Sequence, residues 1–397
     1  MLSGFLDILI FITSFLVVLS FLVFFHELGH YSVGRFFGIA VDRFSIGFGK
    51  PLARWTAKSG TEWTISRIPL GGYVKFSGDA SGASNPDSKA LEKIRQDAES
   101  KGGEGVKNIF HFRPVWQRAL VVLAGPAANF VLAILIFAAL AFAYGTYDRA
   151  SVIGDVMPGS AAEQAGLLPG DKILKMDGKD VSTFTSMARY VALKSDTAID
   201  IEFERDGRLT ELIVSPNRVE QKDFVGGKSS SGVLGVRSSS DADLIHIQYG
   251  PIEALGYGMK ELGSSLSMTL TYIGRIFKGK ESGEQLGSVV KIATITGKSA
   301  VDAANTDAPF KERMRSLFLR LIQLSAAISI GLGVANLMPI PVLDGGHLVY
   351  YAYEAVAGRP LSQEKQELGF RIGFGLLLTV FVLLTINDIG YVSSFFS

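Results

Sequence analysis

The stretch Phe21–His30, which reads Phe-Leu-Val-Phe-Phe-His-Glu-Leu-Gly-His, sets three ionisable side chains in an apolar run. In an α-helix, His26 and His30 lie four residues apart and project from one face. Two imidazoles at that spacing can bind one metal ion, and Glu27 beside them can polarise a bound water molecule. Ionisable side chains are costly within a bilayer, so the cluster indicates a functional site. A chance occurrence of the pattern in a soluble helix is the alternative, and the aromatic flank disfavours it.

The composition indicates a polytopic membrane protein with a sizeable polar portion. Of the 397 residues, 48% are hydrophobic and 19% are charged, and the mean hydropathy is +0.29. This length allows two or three domains. The net charge of +1 gives no bulk electrostatic case for nucleic-acid binding. Because the sequence has no cysteine, disulfides, thiolate zinc sites and cysteine catalysis are all excluded.

Four apolar stretches are long enough to form membrane helices: Phe5–Phe37, about Gln117–Tyr144, Leu317–Leu337 and Gly369–Ile389. The first is predicted to remain uncleaved because it lacks a basic start and a clear cleavage site. Residues 1–7 contain no Lys or Arg, whereas the segment after the first stretch is rich in both. The positive-inside rule therefore predicts an extracytoplasmic N-terminus and places His26 toward the cytoplasmic side. With four spans, the C-terminus is also extracytoplasmic.

The chain is predicted to have four parts: an N-terminal membrane half (1–146), an extracytoplasmic module (147–238), an interfacial segment (239–315) and a C-terminal membrane half (316–397). In the first part, Thr61–Ile65 and Tyr73–Phe76 predict short strands that can approach the membrane if protein shields their backbone. Residues 79–108 are rich in Ser, Gly and charge, which predicts a flexible cytoplasmic loop. Tyr249–Phe277 predicts an amphipathic helix at the outer interface.

The module at 147–238 alternates strand and helix patterns. Strands are predicted at Ser151–Val156 and Ala198–Phe203, and helices at Ser160–Ala165 and about Thr183–Leu193. The run Pro158–Leu174 resembles a PDZ domain of the protease-associated type. Such domains bind extended peptides by adding a strand beside a helix. A small β-rich domain with no peptide ligand is the alternative.

The stretch Asn336–His347 contains two prolines and a Gly pair, which predict a helix break at membrane depth. Such breaks are tolerated where they line a site. The parity of the spans brings Asp344 to the depth of the two histidines, and two His with one carboxylate are typical of a catalytic zinc site. A helix-cap or turn role is the alternative for Asp344, and His347 is a weaker candidate ligand. Glu27 is the candidate general base, and the Asn336 amide could hold the substrate backbone or a developing oxyanion.

Together these residues resemble the site-2 protease family of intramembrane zinc metalloproteases, in the bacterial regulator-of-sigma-E type with one PDZ insertion. The likeness covers nearly the whole chain and rests on three motifs in order: His26-Glu27-x-x-His30, Gly125-Pro126-x-x-Asn129 and Asn336-x-x-Pro339-x-x-x-Leu343-Asp344-Gly345. It implies that both histidines and Asp344 hold one zinc ion and that Glu27 is the general base. It also implies a β-hairpin, including Gly71, Gly72 and Tyr73, that presents substrate as an extended strand.

Asn129 is a further candidate for substrate contact, although a hydrogen bond to a neighbouring helix is the commoner role of an asparagine in a membrane span. The family resemblance implies a multi-pass enzyme of the bacterial inner membrane that cleaves single-span proteins, for example an anti-sigma factor. It also implies a substrate segment or peptide at the PDZ domain. Members of this type carry two tandem PDZ domains, whereas this chain has room for one.

Two other functions compete with proteolysis. A catalytically silent membrane scaffold could bind partners through its PDZ domain, but it would have no need of Glu27 beside both histidines. A metal transporter would need several intramembrane carboxylates or histidines along a path, and the sequence has one such cluster.

Overall fold

The computed structural model describes residues 2–79, 96, 108–222, 228–239, 244–279 and 289–396. The predicted loop at 79–108 lies almost wholly outside these residues. The chain divides into two compact units. The membrane unit comprises Met1–Ile136 and Ser288–Asp388, and the β-rich unit comprises Phe137–Gly287 and Ile389–Ser397.

The membrane unit is built mainly of helices: α1 (Leu2–Phe36), α2 (Val115–Tyr144, of which residues 137–144 belong to the β-rich unit), α6 (Val289–Ala304), α7 (Phe310–Asn336), α8 (Asp344–Ala357) and α9 (Gln363–Phe396, of which residues 389–396 belong to the β-rich unit). Among the described residues, four helices are long and apolar enough to cross a membrane: α1, α2, α7 and α9. The four predicted membrane helices are thus confirmed, with ends that differ by up to seven residues. The break after α7 is also confirmed, since α7 ends at Asn336 and α8 begins at Asp344.

Two long strands, β1 (Val41–Thr56) and β2 (Glu62–Phe76), pair in antiparallel fashion and bend so strongly that each contributes twice to the sheet. The first half of β1 lies between the two halves of β2: Phe44 pairs with Val74 near the end of β2 on one side and with Trp63 near the start of β2 on the other. The start of β2 also pairs with the second half of β1, where Trp63 faces Trp55. The two strands predicted from the sequence are therefore the two halves of β2, and the half Gly72–Phe76 forms one edge of the sheet.

Glycines allow the helices of the membrane unit to approach closely. A Cβ atom on Gly29 of α1 would overlap the carbonyl oxygen of Ala124 in α2. A Cβ atom on Gly345, at the start of α8, would likewise overlap the carbonyl oxygens of Leu337 and Met338. The absence of a side chain at Gly345 therefore lets the segment after α7 pack closely against the start of α8. Pro126 lies within α2, and the helix continues through it. The Gly125-Pro126 pair therefore does not break the helix.

The β-rich unit contains ten strands and three further helices in its described residues: β3 (Thr146–Arg149), β4 (Ile153–Val156), α3 (Ala161–Ala165), β5 (Lys172–Met176), β6 (Lys179–Asp180), α4 (Phe184–Ala192), β7 (Ile199–Arg205), β8 (Arg208–Val214), β9 (Asn217–Lys222), β10 (Lys228–Val233), β11 (Val236–Ser238), β12 (Leu244–Ile247) and α5 (Pro251–Phe277). Its main sheet has the order β6-β5-β7-β8. Ile173, Met176, Ile201 and Phe203 lie in the buried core between this sheet and the helices. The predicted strands and helices of this region are all present, with ends shifted by up to two residues.

Two boundaries differ from the sequence prediction. Strand β12 pairs with β3, so the β-rich unit continues beyond residue 238. Helix α6 belongs to the membrane unit, where a Cβ on its Gly297 would overlap the ring of Phe11 in α1, so residues 239–315 do not form one separate segment. Helix α5 is confirmed as a helix, and its Arg275 donates to the carbonyl oxygen of Ser195 at 3.1 Å. Its predicted position at a membrane interface stays a prediction.

Candidate active site

His26 and His30 lie one turn apart on α1 and point their imidazoles to the same place. Their Nε2 atoms are 3.2 Å apart. Asp344, the first residue of α8, brings Oδ2 to 3.3 Å from His26 Nε2 and to 3.6 Å from His30 Nε2. The structure therefore brings together the three residues that were predicted as ligands from the sequence, although 314 positions separate His30 from Asp344.

The Asp344 side chain is half-buried, and its buried Oδ2 atom has no hydrogen-bond partner among the described residues. Burial disfavours the charged form, but His30 and His26 outweigh this effect and hold the pKa of the carboxyl below its usual range. Asp344 is therefore ionised at neutral pH. An unpaired buried carboxylate oxygen that faces two imidazole nitrogens fits a divalent cation bound among them.

Helix α2 orients both imidazoles from behind. His30 Nδ1 lies 2.8 Å from the carbonyl oxygen of Val121, which can only accept a hydrogen bond. The proton must then be on Nδ1, which leaves the lone pair on Nε2 free for a metal. The Asn129 side chain is fully buried, and its Nδ2 atom lies 3.1 Å from Nδ1 of His26. The Oδ1 atom of Asn129 has no hydrogen-bond partner among the described residues. Exchanging the two amide atoms would let Oδ1 accept the Nδ1 proton of His26, which frees Nε2 in the same way.

This placement favours an orienting role for Asn129, because its amide contacts His26 and is fully buried. The substrate contact predicted for Asn129 stays a prediction.

We expect Asn129→Leu to lower the zinc affinity by about 10- to 100-fold, the usual effect of losing the partner that orients a metal-binding histidine. A competition titration with a chelator measures this. Asn305→Leu is the matched control, because the Asn305 amide contacts Asp7, about 28 Å from His26 along α1 at helical rise. Equal zinc affinities for the two variants would contradict the orienting role.

Gly125 provides the surface on which the two imidazoles rest. A Cβ atom at this position would overlap Nε2 and Cε1 of His30 and would lie 2.8 Å from Cε1 of His26. Gly125 belongs to the second of the three sequence motifs, and in the structure it contacts both candidate histidine ligands.

Gly125→Ala should therefore displace the imidazoles. Overpacking of this kind costs about 1–3 kcal/mol, which corresponds to a loss of zinc affinity of about 5- to 150-fold. Gly331→Ala on α7 is the control, since a Cβ there meets no atom within 4 Å. Zinc content and cleavage rate should fall together in the first variant only. An unchanged zinc affinity for Gly125→Ala would mean that α2 moves to accommodate the methyl group.

A cavity of about 240 Å³ opens beside the three residues. Its lining includes Glu27, Asn336, His347 and Phe370. Asn336 is the last residue of α7, and its amide nitrogen is 3.5 Å from His26 Nε2. The structure thus brings the predicted general base and the predicted oxyanion-binding amide to the same cavity as the three candidate ligands. Burial lowers the pKa of His347, so its imidazole is neutral at pH 7.

The edge half of β2 lies beside Glu27. The backbone N–H of Val74 donates to the Glu27 carboxylate, and a Cβ on Gly72 would lie 3.3 Å from Glu27 Cγ. Gly72 is thus near the catalytic candidates, whereas Tyr73 stacks on Phe48 at a centroid distance of 6.1 Å. Gly71 has φ +123° and also lies against the Phe48 ring, which explains the need for glycine there.

The donor set of two imidazoles and one carboxylate, with donor atoms all within 4.8 Å of one another, matches the zinc sites of hydrolases. The two supporting contacts from α2 were not predicted. A main-chain carbonyl such as that of Val121 has no side-chain signature, and Asn129 carried only the general signal of a polar residue in a membrane helix.

The chain matches peptidase family M50 over residues 14–380. It is 41% identical over 381 residues to a protein of Rhizobium meliloti provisionally named a zinc metalloprotease, with 96% of each chain covered. A protein of Agrobacterium fabrum with the same kind of name is 43% identical over 380 residues, covering 96% of this chain and 95% of the relative. The metalloprotease MmpA of Caulobacter vibrioides is 40% identical over 382 residues, with 96% of each chain covered.

Among solved structures, a PDZ domain of an SdrC-like protein from Listeria monocytogenes aligns with 23% of this chain and 87% of its own length, at 18% identity and a TM-score of 0.18. The assignment of the β-rich unit to the PDZ domains stays a prediction.

Proposed function

Because the chain belongs to peptidase family M50 and is a membrane zinc metalloendopeptidase, we propose that it hydrolyses peptide bonds in or near the transmembrane segment of single-span membrane proteins. The observation that carries the proposal is the convergence of His26, His30 and Asp344 on one point beside Glu27, in a unit built from helices long enough to cross a membrane. A site within such helices can reach a peptide bond that soluble proteases cannot.

In this mechanism His26, His30 and Asp344 would hold the zinc ion. Zinc at this position would make a water molecule more acidic, with a pKa of about 7, and would polarise the scissile carbonyl. Glu27 takes the proton of the attacking water and passes it to the leaving amine. The amide of Asn336, which lines the same cavity, donates a hydrogen bond to the substrate backbone or to the oxyanion that develops on it.

A substrate helix must unwind before it can be cleaved, because its amides are engaged in hydrogen bonds. The edge half of β2, Gly72–Phe76, offers a place for the unwound segment, since an extended peptide can add to the free edge of a sheet. The proximity of Gly72 and Val74 to Glu27 supports this placement. We expect helix-breaking residues near the cleavage point of natural substrates.

The proposed location is the bacterial inner membrane, with both termini and the β-rich unit outside the cytoplasm and the active site toward its cytoplasmic side. The asymmetric distribution of Lys and Arg around α1 supports this orientation. The proposed role is regulated intramembrane proteolysis of a signalling protein, for example an anti-sigma factor. The β-rich unit would receive a peptide or a substrate segment as a PDZ domain.

The test uses the full chain in proteoliposomes with a single-span test protein, and mass spectrometry to locate the cut. We expect cleavage within or next to the apolar span, loss of cleavage with a zinc chelator and recovery on adding zinc. Cuts confined to the soluble parts of the test protein would overturn the proposal. Binding without any cleavage in the zinc-loaded protein would favour the silent scaffold.

A further inference from the structure

One face of α8 carries polar residues at helical spacing, beginning with the candidate zinc ligand Asp344 and continuing through Tyr351 to Glu354. The opposite face, which includes Val349 and Val356, is exposed and apolar. Helix α8 has 14 residues, and among them Leu348 and Tyr351 pack against the hydrophobic core of the membrane unit. Any shift or rotation of this short helix would move the Asp344 carboxylate away from the two imidazoles.

A buried ion pair holds the second half of α8 to the first turn of α2. Arg118 donates from its Nη2 atom to Glu354 Oε1 at 2.6 Å, and the two side chains are only 11% and 15% exposed. The guanidinium also lies over the ring of Tyr351, with its carbon 5.0 Å from the ring centroid. Its Nε donates to the carbonyl oxygen of Arg113 at 2.9 Å. Arg118 is thus fixed in three directions, and Glu354 and Tyr351 both belong to α8.

Helix α2 also orients the other two ligands. Val121 and Asn129, which contact His30 and His26, lie three and eleven residues after Arg118 and so share its side of the helix. One helix therefore contacts all three parts of the zinc site: each histidine directly, and Asp344 through the helix that carries it.

We propose that Arg118 and Glu354 are positioning residues for the zinc site: their ion pair fixes the register of α8 against α2 and so sets the distance of Asp344 from His26 and His30. The inference rests on the proposed roles of these three residues as zinc ligands. A buried ion pair adds little net stability compared with a packed apolar pair, because both charges must be desolvated. What the ion pair contributes is a defined orientation, since a guanidinium and a carboxylate bind each other in only a few relative geometries.

The test compares Arg118→Met, Glu354→Met, the double variant with both changes and the charge-exchanged double variant Arg118→Glu with Glu354→Arg. Zinc affinity is measured by chelator competition, metal geometry by the visible absorption of the Co²⁺-loaded protein, and stability by thermal unfolding without metal. Arg371→Met is the control, because Arg371 pairs with Glu367 in an ion pair whose side chains are 74% and 60% exposed.

We expect each single substitution to weaken zinc binding by about 10- to 100-fold, as for other groups that orient metal ligands. The double methionine variant should regain stability but keep the weakened zinc affinity and an altered Co²⁺ spectrum. The charge-exchanged variant should recover part of the affinity. If the single methionine variants do not fold, Glu354→Gln replaces them, because it removes the charge and nearly keeps the shape of the side chain. Its zinc affinity and Co²⁺ spectrum are then compared with those of the unmodified protein.

Two results would overturn the inference. Zinc affinities within twofold of the unmodified protein, with only the unfolding temperature lowered, would assign the pair a purely structural role. If the double methionine variant recovers zinc affinity together with thermal stability, any tightly packed contact between α2 and α8 is enough to position Asp344. Both results leave the proposed function intact, whereas failure of the unmodified protein to bind zinc would contradict the ligand set itself.

Discussion

Glu27→Gln should lose cleavage by about 10²- to 10⁴-fold, the range that a positioned general base contributes, while one zinc ion per chain remains bound. The substitution keeps the size of the side chain and removes its ability to accept a proton. Glu27 is not one of the three side chains that converge on a point, so its loss should leave the metal in place. Cleavage is measured on a single-span substrate in proteoliposomes, and zinc by elemental analysis of the purified protein.

Glu62→Gln is the matched control for this prediction. Glu62 also belongs to the membrane unit but pairs with Arg43 at 2.9 Å on a partly exposed sheet, so its substitution should change neither cleavage nor zinc content. Unimpaired cleavage by Glu27→Gln would eliminate Glu27 as the base. Loss of zinc along with cleavage would instead make Glu27 part of the metal-binding shell.

The membrane helices and their order could be predicted from the sequence because an apolar run of sufficient length has few alternatives. The convergence of Asp344 with His26 could be predicted as well, since the number of spans between them determines on which side each one ends. Both inferences depend on features that can be read directly from the sequence: the length and polarity of each apolar run and the number of spans.

What could not be predicted depends on contacts between distant main-chain groups. The two halves of β2 were predicted as separate strands, because the bend at Gly71 and the double pairing with Phe44 are set by the sheet as a whole. The carbonyl oxygen of Val121 orients His30, yet any residue at that position would supply the same atom. The packing of Gly297 against Phe11 likewise required the positions of two helices that are far apart in the chain.

These unpredicted contacts share a physical consequence. Gly29, Gly125 and Gly345 each lie where a Cβ atom would overlap a main-chain or imidazole atom: Gly29 against α2, Gly125 against the two imidazoles of α1, and Gly345 against the main chain at the end of α7. The site is therefore a product of close backbone packing as much as of its ionisable side chains. Variants that add one methyl group at these glycines should be as informative about the metal site as variants of the ligands.

The second prediction with a large effect concerns Asp344→Asn, which we expect to weaken zinc binding by more than the roughly 10- to 100-fold loss that removal of an orienting contact causes. The neutral amide keeps the shape of the side chain but removes the negative charge that faces His26 and His30. Cleavage should be lost with the metal. Zinc affinity by chelator competition and cleavage in proteoliposomes are the two measurements.

The competing role for Asp344, as a helix cap, makes a different prediction. Leu343 is the N-cap residue of α8 and makes no side-chain cap, and Asp344 Oδ2 accepts no hydrogen bond from a described residue. A purely structural Asp344 would retain its contacts with the two imidazoles and its interaction with the helix dipole, the latter worth about 0.3–1 kcal/mol. On that basis Asp344→Asn would lower the unfolding temperature slightly and retain zinc. His347→Ala completes the comparison, because His347 lines the same cavity one turn further along α8. If Asp344 is the third ligand, His347→Ala keeps one zinc ion per chain, and a loss of zinc in His347→Ala but not in Asp344→Asn would transfer the ligand role to His347.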